Sequence, residues 1–139
     1  EIGMLVSKRG LPLQILFGSE TQVEFDDDYL WNVHYRFPGL VRVLAHTHPD
    51  NMPDLSEEDR TTLKAWTFAF SPHPIYMDVI SRVDWDIRRT RYWYALESLE
   101  DWRKGGKKGT RKMALRWISL DSDFTPWVKE MLRLSKSLK

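Results

Sequence analysis

The sequence predicts one mixed α/β domain, built as a mostly antiparallel sheet flanked by helices. Three observations predict it. Short apolar runs recur between turn-forming residues, as strands do. Two segments carry helical apolar spacing behind a capping signal. The 139 residues allow one domain with a real core and are too few for two comfortable ones.

In chain order, Glu1 to Ser7 reads as a strand, Lys8-Arg9-Gly10 as a turn, and Leu11 to Phe17 as the hairpin partner. The chain opens on Glu1, not on methionine, and runs straight into Ile2-Gly3-Met4-Leu5-Val6. It therefore reads as entered partway through a strand, with any helix or targeting signal upstream lying outside it. Thr21 to Phe25 is a further short strand candidate. Asp26-Asp27-Asp28 breaks it, and Tyr29 to Phe37 is rich in β-formers. After the Pro38-Gly39 turn, Leu40 to His46 is a nearly continuous apolar run, as expected of a strand buried on both faces.

Pro49 to Leu55 is a polar loop. Helix signals run from Ser56 to about Phe70, with Leu63, Trp66 and Phe70 on one face, and Ser71-Pro72-His73-Pro74 stops that helix. Ile75 to Ile80 and Trp85 to Leu96 read as strands. Arg103 to Lys112 is a basic, glycine-rich loop, and Met113 to Leu120 another strand. Thr125-Pro126 caps a final helix through about Leu138, with the proline at the tolerated first position. That makes two clear helices, with no repeats and no domain boundary.

Composition excludes several classes of function. The net charge is +1, so no global field argues for nucleic acid or an anionic membrane as partner. No apolar run approaches the length of a transmembrane helix. The absence of cysteine removes disulfides, thiolate metal sites and cysteine catalysis, and agrees with a cytoplasmic location. Seven tryptophans suggest a well-filled core or a sticky surface.

The chemistry is concentrated in His46-Thr47-His48-Pro49 and, six residues on, Ser56-Glu57-Glu58-Asp59. Histidines at i and i+2 on a strand end point to the same side. Neutral imidazole is a standard zinc ligand, and a catalytic zinc wants three protein ligands and one open position. Asp59, in the first turn of the following helix, supplies a third ligand. The open position takes water, whose pKa falls to roughly 7 there. Each piece also has a bland reading. Ser56 and Asp59 are spaced as a helix-capping pair, and a lone His-x-His is more often two polar strand residues. The two are compatible, since Ser56 can cap while Asp59 binds. What argues for a metal is their joint occurrence in a chain with four histidines.

The run His46-Thr47-His48-Pro49-x6-Ser56-x2-Asp59 resembles the JAMM motif of the Jab/MPN zinc metallopeptidases, including the prokaryotic-type JAB domain. That family also uses a glutamate at the head of an early strand, and Glu1 heads the Ile2–Val6 run. The resemblance implies a curled, cytidine-deaminase-like α/β fold with one Zn2+ per chain on His46, His48 and Asp59. It implies Glu1 as general base on the water and Ser56 as oxyanion donor. The expected substrate is a ubiquitin-like protein, released from a conjugate or a precursor by hydrolysis of the amide after its C-terminus, in a prokaryotic setting. Activating and conjugating proteins of the same system (E1/E2-like) are the expected further partners.

Two alternatives share the pattern. RadC-like proteins of uncertain activity typically have Asn between the histidines and Ser-Gly after the proline, where this chain has Thr47 and Asp50-Asn51. Non-catalytic MPN scaffolds usually lose ligands that are all present here. Outside the motif, Glu20 and Glu24 are the other upstream glutamates, and His34 and His73 lack a partner at ligand spacing. The basic stretch with Trp102, Arg103, Lys104, Lys107 and Lys108 is the expected contact for a substrate tail, against the bland reading of a solvated connection.

Overall fold

The computed structural model describes residues 1–18, 23–48, 55–83, 86–96, 113–121 and 125–137. Strands β1 (Ile2–Ser7) and β2 (Pro12–Phe17) form the expected hairpin. They are followed by α1 (Asp27–Arg36), β3 (Val41–Thr47), α2 (Glu57–Phe70), β4 (Tyr76–Val83), β5 (Asp86–Leu96), β6 (Met113–Ser119) and α3 (Pro126–Ser137). The six strands make one sheet in the order β2-β1-β3-β4-β5-β6. Every pairing is antiparallel except β3–β4. A parallel pair needs a long crossover, and α2 supplies it. That β3–α2–β4 unit returns the start of a helix to the sheet just after β3 ends.

Both faces of the inner strands are covered. On β1, Leu5 faces the cluster formed with Leu30 of α1 and Leu63, Trp66 and Phe70 of α2. Ile2, Met4 and Val6 point the other way, onto Trp127, Val128 and Met131 of α3. Leu44 and Ala45 of β3 divide between the same two clusters, which accounts for the continuous apolar run there. Leu63, Trp66 and Phe70 are the buried residues of α2, the face its spacing predicts. His34 stacks on Phe70 with ring centroids 4.5 Å apart, and His73 lies edge-on to His34. Both histidines therefore belong to the packing of α1 on α2.

Three expectations are corrected. Val23 to Phe25 forms no strand. The segment rich in β-formers is a helix, so the described residues contain three helices and not two. Asp26 is its N-cap, accepting the Tyr29 N–H at 3.1 Å. Asp27 and Asp28 occupy its first turn and His34 and Arg36 its last, the charge order a helix dipole favours. The acidic run is thus a helix start. Leu30 is buried, and Tyr29 and Val33 pack beside it, one helical face that outweighs residue propensity. At α3, Pro126 holds the first position, but the Thr125 hydroxyl has no hydrogen-bond partner among the described residues. The Thr125 carbonyl, not its side chain, meets the helix, accepting from Val128 and Lys129.

Candidate metal centre

The centre lies where β3 ends and α2 begins. Alternation along β3 sends His46 and His48 to the α1/α2 side, with Thr47 between them facing away. His48 is held by its own N–H, which donates to the Ile80 carbonyl of β4 at 2.9 Å. At the helix start a capping box is closed: the Ser56 hydroxyl accepts the Asp59 N–H at 3.1 Å, and Asp59 Oδ2 accepts the Ser56 N–H at 3.2 Å. This fixes the Asp59 carboxylate in the first turn of α2.

The same carboxylate oxygen meets both imidazoles. Asp59 Oδ2 lies 3.1 Å from His46 Nε2 and 3.1 Å from His48 Nε2, and the two Nε2 atoms are 2.8 Å apart. Donor atoms around a tetrahedral zinc at about 2.0–2.1 Å are separated by about 3.3 Å, so this triangle is close to that size. Two imidazole nitrogens and a carboxylate oxygen aimed at one point need a proton or a cation among their lone pairs. The group can hold a metal ion. His46 is buried, and its Nδ1 has no hydrogen-bond partner among the described residues. The ring of Phe25 stands edge-on to it, centroids 6.2 Å apart.

Burial alone would raise the Asp59 pKa, but hydrogen bonds to His46 and His48, the charge of His46 and the Ser56 N–H outweigh it and hold the carboxyl below the usual range. Glu1 behaves oppositely. Burial pushes its pKa up, His46, His48 and the N-terminal ammonium pull it down, and Asp59 adds to the rise. Glu1 therefore feels the charges of the triad. The β1–β3 register explains why: Gly3 pairs with His46, so extending it by two residues brings Glu1 across from His48, on the same side of the sheet. Glu24, by contrast, is exposed.

Three features of this region have no signature in the sequence. The Thr47 hydroxyl accepts the Ile2 N–H at 2.9 Å, across 45 residues of chain. Phe25 reaches His46 because residues 23–25 lie against β1, where a Cβ on Gly3 would come 2.6 Å from Val23 Cγ1. On the opposite face, Asp78 is fully buried and bonded to Arg89 and Arg91. The proposed tail contacts Trp102, Arg103, Lys104, Lys107 and Lys108, and the alternative carboxylate Glu20, lie outside the described residues.

Among the described residues, no helix is long and apolar enough to cross a membrane. No protein-family model, curated protein or solved structure matches the chain.

Proposed function

We propose that this protein is a zinc-dependent peptidase of the JAMM type. It hydrolyses the amide bond that follows the C-terminus of a ubiquitin-like protein, in a conjugate or a precursor. The observation that carries the reading is the convergence of His46 Nε2, His48 Nε2 and Asp59 Oδ2, with the raised carboxyl of Glu1 beside them. When bound there, zinc would polarise the substrate carbonyl and lower the pKa of a water to roughly 7.

The chain's own residues do the rest. His46, His48 and Asp59 would hold the ion. Glu1 takes a proton from the attacking water and delivers it to the leaving amine as the C–N bond breaks, base first and acid second. A carboxyl whose pKa is raised by burial suits both halves of that transfer. The Ser56 oxygen accepts from Asp59, which leaves its O–H free to donate to the oxyanion. The basic stretch around Trp102 contacts the substrate tail. The choice of a ubiquitin-like substrate, and of activating and conjugating partners, rests on the motif's resemblance alone.

The test is direct. Purified protein, loaded with zinc, is given ubiquitin joined through its C-terminal glycine to a lysine side chain, and related ubiquitin-like conjugates. Cleavage that stops on chelation and returns with zinc supports the reading. Protein that binds zinc and cleaves none of them overturns it.

A further inference from the structure

The peptide unit that joins Glu1 to Ile2 is held at both of its edges. Its carbonyl accepts the Gly18 N–H at 2.9 Å from the β2 side. Its N–H donates to the Thr47 hydroxyl at 2.9 Å from the β3 side, in a buried bond. A peptide unit is planar, so two bonds at opposite edges set the orientation of the whole plane. The Glu1 Cα is then set in place, and its carboxylate is directed by the Cα–C torsion and the side-chain torsions.

Thr47 is itself pinned. It is buried, and it pairs with Ile80 of β4 in the parallel register. Its neighbours on either side are the two imidazole ligands, while the β1–β3 pairing ends at Gly3 and His46. Past that point the Thr47 side chain, not a backbone carbonyl, receives the β1 N–H. One residue thus links the strand that carries the ligands to the strand that carries the base.

We propose that Thr47 is a positioning residue for Glu1, its hydroxyl locking the Glu1–Ile2 peptide at a set offset from the His46 and His48 imidazoles. The inference rests on Glu1 being the proton-transfer group of the proposed hydrolase. Reactions are sensitive to such offsets, since a displacement of about 1 Å can cost about 100-fold in rate.

Thr47→Val keeps the branched shape and removes the acceptor, while Thr47→Ser keeps the hydroxyl. On the ubiquitin–lysine conjugate, Thr47→Val should lower kcat by about 10- to 100-fold. KM and zinc affinity, the latter from chelator competition, should stay within about twofold, because no ligand or substrate contact is removed. The Ile2 amide should exchange with solvent faster than in the parent. Thr47→Ser should recover kcat to within about threefold of the parent. If Thr47→Val does not fold, Thr47→Ala carries the same expectations. A variant with parental kcat despite a deprotected Ile2 amide overturns the inference while leaving the hydrolase intact. So does a rate loss matched by an equal loss of zinc affinity, which would assign Thr47 to the ligands. A parent that binds zinc but leaves every conjugate intact overturns the hydrolase, and the positioning role with it.

Discussion

His46 Nε2 and His48 Nε2 stand 2.8 Å apart, each 3.1 Å from the same oxygen of Asp59. Two neutral imidazoles hold that separation only when a proton or a metal ion sits among their lone pairs. The expected outcome is one zinc per chain by elemental analysis. Loss of a hydrogen-bonding partner one step out from a metal typically costs about 10- to 100-fold in affinity. Loss of a ligand, in His48→Ala or Asp59→Asn, should exceed that. Zinc affinity that is unchanged in either variant would place the metal elsewhere.

Glu1→Gln should retain zinc and lose about 10²- to 10⁴-fold in turnover, the span for a positioned general base. It has a second signature in the metal-free protein. Because burial raises the folded pKa of Glu1, the folded state binds that proton more tightly than the unfolded chain. Stability from this group is therefore full below the ordinary carboxylate pKa and declines as pH climbs through the raised one. Glu1→Gln should accordingly melt above the parent at neutral pH and level with it below about pH 4. Melting curves that coincide at both pH values would mean that the carboxylate is solvated.

Ser56 has two jobs that separate by substitution. Ser56→Ala removes the cap on α2 and should cost about 1 kcal/mol in denaturant unfolding. It should also cost about 10²- to 10³-fold in rate if the hydroxyl serves the oxyanion. Ser56→Asp can still cap but has no hydroxyl proton, so it should be stable and slow. A stable and fast Ser56→Asp protein would reduce Ser56 to a cap.

Asp78 should be the most sensitive charge in the protein. Its carboxylate is fully buried and bonded to Arg89 and Arg91, and Arg89 also lies over the Trp127 ring of α3. Asp78→Ala takes the anion away from Arg89, which is buried with it, and from the partly exposed Arg91. Breaking a buried pair in this way costs about 3–5 kcal/mol, readable from the urea midpoint. A loss below about 1 kcal/mol, the scale of a surface pair, would mean that the arginines reach water.

The basic stretch carries a separate expectation. Shortening residues 103–112 to a tight turn should raise KM or lower kcat/KM on protein conjugates and leave zinc content unchanged. Identical kinetics on conjugates and on short peptides, before and after shortening, would make the stretch a connection only.

Local chemistry made much of the architecture legible. Turn residues at Lys8-Arg9-Gly10 and Pro38-Gly39 delimit strands, and Ser56 with Leu63, Trp66 and Phe70 defines α2 and its buried face, because those signals act over a few residues. The donor set was equally legible: His46 and His48 share a pleat, and Asp59 sits one cap away. Segment 26–37 is not legible as a helix, because its residues have modest helix propensity and packing of Leu30 against the core decides the matter. Glu1 came from the motif's resemblance, and tertiary structure gives the physical reason, since strand register joins residues 45 apart in sequence. Tertiary structure alone gave Thr47 the Ile2 N–H to accept, set Phe25 against His46, and buried Asp78 between two arginines. These depend on which strands become neighbours, and no local pattern encodes a neighbour's identity.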